Sequence, residues 1–364
     1  MNDIHKLARE HLYKDNRLSG MPGQMENPLL TKLHLNLNYF SDSDYVTYPL
    51  DVNENICRQF IDFLKEEALW KETPPPLFLE PGNLLFLSVS NAIDLIIRAF
   101  CEPLKDSVCI ANPTFPLYAF CANNHNNPVI DIPLEGSLLN GINVSKIIAS
   151  KSKVLFIPIP NNPVGTVPKK TAIVELLNNY KGLIVLDEAY IEYADEGSFI
   201  EYLEHYPNLV VLRSFSKIWG HAGIRCGVVV GSEMMINTLK KILPPCFFPS
   251  HTQEVLGTIL AQPAKVEAMR EKAKTERQKL EKDLQEIPQV RYVYPSQSNF
   301  LLVEFFDGPS IYEKLLKNGV LVKNLHSLIP NTLRISLGKS DENISLLQVL
   351  RAKDQINPRD PINL

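Results

Sequence analysis

Leu183-Ile184-Val185-Leu186-Asp187-Glu188-Ala189-Tyr190 decides the fold. An unbroken apolar run of this length and branching is what a strand buried on both faces of a parallel sheet requires, and the acidic pair after it marks where that strand ends. In open α/β sheets, ligands bind at that end. The pattern recurs on both sides. Upstream, the apolar run 154–159 leads into Asn161-Asn162-Pro163-Val164-Gly165, and downstream the run 209–213 leads into Ser214-Phe215-Ser216-Lys217.

With the further runs 84–89, 108–111, 129–133 and 226–231, strand-like segments alternate with longer ones, several of helical period, as in 91–100. This predicts an α/β fold built on a wound, mostly parallel sheet of seven strands. After the proline-rich stretch 243–249, a charged helix is expected over 265–287, with Val266, Met269, Ala273, Leu280, Leu284 and Ile287 along one side and Pro288 as its stop. The segments 290–294, 300–306, 311–318, 320–322, 333–337 and 343–351 then read as strands and helices of a smaller α+β unit. The expected division is an arm and part of the small domain over 1–45, a large domain over 46–250, and the linking helix with the small C-terminal domain over 251–364. Residues 354–364 read as a loose tail.

A chain of 364 residues with 45% hydrophobic and 21% charged residues is long enough for two well-buried units of a soluble protein. A net charge of −4 offers no broad basic face, so nucleic acid is not an expected partner. The six cysteines lack a Cys-x-x-Cys spacing and several fall in apolar stretches, as buried free thiols do, which favours a reducing cytoplasm. No apolar leader opens the chain, and the longest uncharged stretch, 107–130, is broken by prolines and asparagines. Neither secretion nor membrane insertion is expected. No histidine has metal-ligand spacing, so no metal is assigned, and no Gly-x-Gly-x-x-Gly follows a strand-like run, which disfavours a nicotinamide-binding site.

The polar residues after the three runs have a common chemical logic. A lysine flanked by hydroxyls, with Arg225 eight residues on, has the parts to bond an aldehyde and hold its phosphate, which points to pyridoxal phosphate. Asp187 suits the pyridine nitrogen, whose protonation lets the ring accept carbanion electrons. Asn162 and Tyr190 are donor types for the phenolic oxygen, and Ser214, Ser216 and Arg225 are donor types for the phosphate. Arg334 is a fork-shaped candidate for a substrate carboxylate. Each residue also has a plainer reading: Lys217 as a solvated lysine, Asp187 as a helix cap, Asn162 as a turn former, Tyr190 and Phe115 as core, Arg225 as a surface ion pair.

The ordered set Asn-Asn-Pro-x-Gly (161–165), Asp-Glu-Ala-Tyr (187–190), Ser-x-Ser-Lys (214–217), Gly-x-Arg-Cys-Gly (223–227) and Leu-Arg-Ile-Ser (333–336) resembles the histidinol-phosphate aminotransferases, which are fold-type I pyridoxal phosphate enzymes. Asn36-Leu37-Asn38, Tyr48-Pro49 and Ile97-Arg98-Ala99-Phe100 extend the likeness over most of the chain. The resemblance implies that Lys217 is the Schiff-base lysine and proton carrier, Asp187 the pyridine partner, and Asn162 and Tyr190 the ligands of the phenolic oxygen. It also implies phosphate contacts from Ser214, Ser216, Arg225 and the helix start at Ser90-Asn91, ring stacking by Phe115, and Tyr48 reaching over from the neighbouring subunit of a homodimer with shared sites. Substrate contacts would come from Arg334, Lys323 and Asn36. The implied reaction moves an amino group from a small-molecule donor, histidinol phosphate, to a 2-oxo acid such as 2-oxoglutarate, as in histidine biosynthesis.

Some positions depart from the family pattern. Ser90-Asn91 replaces an acidic pair, Phe115 a tyrosine, Tyr39 a glutamate and Lys323 an arginine. These changes leave the cofactor ligands in place and bear on the substrate. An aromatic amino acid aminotransferase, or a phospho-amino-acid decarboxylase of the same fold, would keep every cofactor ligand; a non-catalytic relative would have little reason to keep both Lys217 and Asp187.

Overall fold

The computed structural model describes residues 4–13, 36–49, 52–66 and 78–352. A short helix α1 (Ile4–Leu7) is followed by α2 (Glu54–Glu66), and then β1 (Leu84–Leu87) begins the larger sheet. The remainder of that unit is α3 (Val89–Phe100), β2 (Val108–Ile110), α4 (Leu117–Asn124), β3 (Val129–Asp131), α5 (Val144–Ser150), β4 (Val154–Pro158), α6 (Lys170–Asn179), β5 (Leu183–Asp187), β6 (Leu209–Ser214), β7 (Gly227–Gly231) and α7 (Glu233–Lys240). Next come α8 (Ser250–Leu260) and the long α9 (Pro263–Gln285), then β8 (Val290–Val293), β9 (Phe300–Phe305), α10 (Gly308–Lys317), β10 (Lys323–Asn324), β11 (Thr332–Ser336) and α11 (Ser340–Arg351).

The large sheet has seven strands in the order β1-β7-β6-β5-β4-β2-β3. Pairing is parallel from β6 across to β3, and β7 runs antiparallel to both its neighbours. Strands β4 and β5 are buried along their whole length. Their side chains alternate between two cores: Leu155, Ile157, Ile184 and Leu186 face one, and Val154, Phe156, Leu183 and Val185 the other. The first core is closed by Phe60, Ile61 and Leu64 of α2 with Ile173, Leu176 and Leu177 of α6; the second by Ile93, Ile96, Ile97 and Phe100 of α3. Burial on both faces is why these strands read as continuous apolar runs rather than as alternation.

The smaller unit is an antiparallel sheet of four strands, β10-β11-β9-β8. Its core joins Leu301, Val303, Leu333 and Ile335 to Leu280 and Leu284 of α9, Ile311 and Leu315 of α10, and Leu346, Leu347 and Leu350 of α11. The first core of the large unit, meanwhile, takes in Leu256 and Leu260 of α8 and Val266 at the start of α9.

Three local expectations change. Strand β1 stops at Leu87 because Ser88 caps α3, its hydroxyl accepting the Asn91 N–H at 3.2 Å. Residues 320–322 are not a strand, and pairing is confined to Lys323–Asn324. In α9, Met269 is exposed, and Arg270 and Arg277 take buried positions instead. Their guanidiniums donate to backbone carbonyls, Arg270 to Ala194 at 3.0 Å and Arg277 to Ser298 at 3.0 Å. The middle of that helix thus meets peptide oxygens at the junction of the two units, which a reading of apolar spacing does not register. Among the described residues, no helix is long and apolar enough to cross a membrane.

Candidate active site

Strands β1, β2, β4, β5 and β6 run in one direction and deliver the chain to the same edge of the sheet. Strand β5 ends there in Asp187, which is 5% exposed. One of its carboxylate oxygens accepts the Ala189 N–H at 3.1 Å and the other accepts the Tyr118 O–H at 2.8 Å. Burial pushes this carboxyl up from its ordinary range, and the two donors and the charge of Lys217 oppose that push. Tyr118, at the start of α4, was not singled out by sequence; only its position three residues after Phe115 hints at it.

Strand β6 ends at Ser214, whose hydroxyl accepts the Ser216 N–H at 3.1 Å and so turns the backbone. Phe215 and Trp219 then anchor the loop in the first core, edge-on to each other at 5.3 Å, with Phe215 also against Phe60 and Trp219 against Phe63. Lys217 stands between these anchors, half-buried, with its Nζ 4.9 Å from the centre of the Tyr190 ring. Among the described residues its ammonium has no ion-pair partner at contact distance, so its charge is held by a π-face.

The ladder between β4 and β5 extends past Pro158 through the Ile159 N–H to the Asp187 carbonyl, at 2.8 Å, and then releases the chain into Asn161–Gly165. That turn is closed by Gly165 N–H to Asn161 O at 2.6 Å and Asn161 N–H to Thr166 O at 2.8 Å. Gly165 has φ +89°, and a β-carbon there would come within 2.8 Å of the Ser296 Cβ of the smaller unit, so glycine is required on two counts. Asn162, buried in this turn, accepts a hydrogen bond from the Arg334 guanidinium. Arg334 lies on β11 with its guanidinium carbon 5.1 Å from the Phe300 ring centre, and Phe300 meets Tyr190 edge-on at 5.5 Å. The Arg334 Nε–H is buried without a hydrogen-bond partner among the described residues. Lys217, Tyr190, Phe300, Arg334 and Asn162 therefore form one continuous wall.

The remaining candidates are more dispersed. Ser90 and Asn91 occupy the first turn of α3 beside Gly227, whose register pairs it with both Leu87 and Ser214. A β-carbon at Gly227 would lie 2.5 Å from the Arg213 carbonyl oxygen and 3.0 Å from Val89 Cγ2, so the helix start approaches β6 only because this residue has no side chain. Phe115 is half-buried and edge-on to Tyr118 at 5.6 Å. Arg225 is exposed, in the left-handed region at φ +53°, and donates to the Ala222 carbonyl at 3.0 Å. Lys323 is exposed opposite Arg334, beside a groove of about 760 Å³ that also borders Asn324 and Ser336. Asn36 and Tyr48 are exposed and form no hydrogen bonds to the other site residues among the described residues.

Sequence reasoning also passed over the charges behind the strand ends. Arg213, 1% exposed, donates to Glu192 at 2.9 Å and lies 3.8 Å from Glu188. Glu188, fully buried, accepts the Ser198 hydroxyl and the Phe199 N–H, each at 2.6 Å. This cluster joins the residue after Asp187 to the residue before Ser214.

Comparison with known proteins agrees with this geometry. The family model described as aminotransferase class I and II matches residues 53–350. A histidinol-phosphate aminotransferase of Bacteroides thetaiotaomicron is 36% identical over 286 residues, 77% of this chain and 80% of that protein. One of Parabacteroides distasonis is 36% identical over 309 residues, covering 83% and 90%. Among solved structures, the histidinol-phosphate aminotransferase from Clostridium acetobutylicum has a TM-score of 0.72 at 22% identity, covering 84% of this chain and 89% of that one. The Sinorhizobium meliloti enzyme in complex with pyridoxal-5'-phosphate has a TM-score of 0.73 at 20% identity, covering 84% and 83%. These two likenesses speak to the fold.

Proposed function

Because the chain belongs to the class I and II aminotransferases and, through its relatives, to the histidinol-phosphate aminotransferase family, we propose that it transfers the amino group of L-histidinol phosphate to 2-oxoglutarate, giving imidazole acetol phosphate and glutamate. Its cofactor is pyridoxal 5'-phosphate. The residues at the strand ends fit that group: an amine without an ion-pair partner among the described residues, a buried carboxylate held by two donors, hydroxyls at Ser214 and Ser216, and the start of a helix.

When bound, pyridoxal phosphate supplies an aldehyde that takes up the amino group and a protonated ring that accepts the electron pair left as the Cα–H bond breaks. The Lys217 amine would hold the cofactor through its aldehyde carbon and, when free, would take the proton from the donor's Cα as general base. Asp187 keeps the ring nitrogen protonated, and Asn162 and Tyr190 hold the phenolic oxygen. Ser214, Ser216, Arg225 and the amides at Ser90 and Asn91 hold the phosphate, and Phe115 packs on the ring. Arg334, with Lys323 and Asn36, receives the anionic end of the substrate.

The observation that carries this reading is the arrival of Asp187 and the Lys217 loop at one sheet edge, with the lysine amine over the ring of Tyr190, three residues after Asp187. A homodimer with Tyr48 contributed across the interface is supported by segment 36–49, where Tyr39, Phe40, Tyr45 and Tyr48 are 49%, 99%, 51% and 51% exposed and call for a covering surface. The buried thiols, Cys101 pushed up to about 12 and Cys109 to about 11 by burial, suit a reducing cytoplasm.

The test is a donor screen on holoenzyme with histidinol phosphate, phenylalanine, tyrosine and glutamate, read by the cofactor's absorbance and by oxo-acid-dependent product. Histidinol phosphate is expected to bleach the yellow form, and Lys217→Ala to abolish both colour and turnover. A response to aromatic amino acids alone, or release of carbon dioxide instead of a ketone, overturns the substrate assignment.

A further inference from the structure

We propose that Tyr118 is a positioning residue for the cofactor, acting through Asp187: its hydroxyl keeps that carboxylate ionised and fixed, and thereby keeps the ring nitrogen protonated. The inference rests on the assignment of Asp187 as the ring-nitrogen partner. It starts from a conflict inside the site. Asp187 is nearly dry, and a carboxylate in that setting drifts toward its neutral form, in which it can no longer hold a proton on a pyridine. Two donors at contact distance oppose the drift, the Ala189 N–H and the Tyr118 O–H, and only Tyr118 is a side chain.

Tyr118 is built for this one bond. It comes from the first turn of α4, the helix that follows β2, and β4 separates β2 from β5, so its ring spans a strand to reach Asp187. On the way it lies flat on Phe156 of β4, with centroids 4.8 Å apart and planes 9° apart, and Phe115 meets it edge-on at 5.6 Å. The ring is fully buried, so the hydroxyl has no water to turn to. Burial pushes its own ionisation well above the usual tyrosine range, which leaves it a committed donor. Tyr180 shows the contrasting case: its hydroxyl, also buried, donates to the Ser152 carbonyl at 2.7 Å and lies 2.8 Å from the Ser152 hydroxyl, both of them neutral groups.

Tyr118→Phe deletes one oxygen and keeps both ring contacts, so folding of the apo form, followed by circular dichroism, is expected to survive. The probe is pyridoxal 5'-phosphate with an isotopically labelled ring nitrogen, its magnetic resonance shift reporting protonation directly, together with its dissociation constant. Tyr118→Phe is expected to move the shift toward the unprotonated value and to weaken binding about tenfold, the effect of losing one hydrogen bond to a charged group. Asp187→Asn moves the shift further, and adding Tyr118→Phe to it changes nothing more, whereas Tyr180→Phe leaves the shift at its wild-type value. If Asp187→Asn displaces the signal and Tyr118→Phe does not, or if the two add independently, the role of Tyr118 is overturned. If Asp187→Asn itself has no effect, the assignment of Asp187 falls instead.

Discussion

Replacing Arg213 by Met tests the charge cluster behind the strand ends. The guanidinium is 1% exposed and, among the described residues, is the one cation within 4 Å of Glu188 and Glu192, themselves 0% and 3% exposed. Removing it strands two carboxylates in the interior, and breaking a buried pair in this way costs about 3–5 kcal/mol. That is a large share of the roughly 5–15 kcal/mol by which a folded domain is stable. Urea unfolding of the apo protein, followed by circular dichroism, should show the transition midpoint falling accordingly. The loss should also depend on pH. Burial already pushes the Glu188 carboxyl up from 4.5 to about 7, Arg213 opposes that push, and without the cation it rises further. An acid whose folded-state value is raised binds a proton that the unfolded chain has released, so its contribution declines as pH climbs from 4.5 through the folded value. Arg213→Met should therefore be least harmful near the acid end of that window and most harmful above it. A penalty below about 1 kcal/mol, the worth of an exposed pair, or one that is flat across this range, would refute the reasoning.

Two other substitutions have definite outcomes. Gly165→Ala must accept φ +89° and a clash with Ser296, so it should cost roughly 2 kcal/mol or more and loosen the turn that carries Asn162, measured as a lower melting temperature and a weaker hold on the cofactor. Arg334→Lys loses the forked donor while keeping the charge; kcat/KM should fall about tenfold or more, mainly through KM, and an unchanged KM would remove Arg334 from the substrate contacts.

The large sheet was legible because its central strands are covered on both sides, so each is written as an unbroken apolar run that no surface helix imitates. The candidate site could be placed for the same reason, since Asp187 and Ser214–Lys217 directly follow such runs and Asn162 comes three residues after one. What was not legible depends on partners far away in sequence. Tyr118 has no charge and no motif, and its meaning comes from a carboxylate 69 residues on. Arg213 read as the end of a strand because its counter-charges lie on a neighbouring turn. Arg270 and Arg277 are absent from the apolar side expected of the long helix, because peptide carbonyls leave no trace in composition.

Arg334 belongs to the small sheet, whereas Lys217, Asp187 and Tyr190 belong to the large unit, and Phe300, against both Arg334 and Tyr190, links the two groups. On the proposed assignment, selection can retune which amine is accepted by editing the rim around Lys323 and Arg334, while the half of the pocket proposed to hold the cofactor is inherited unaltered. A lineage built this way can diversify its diet without relearning its chemistry.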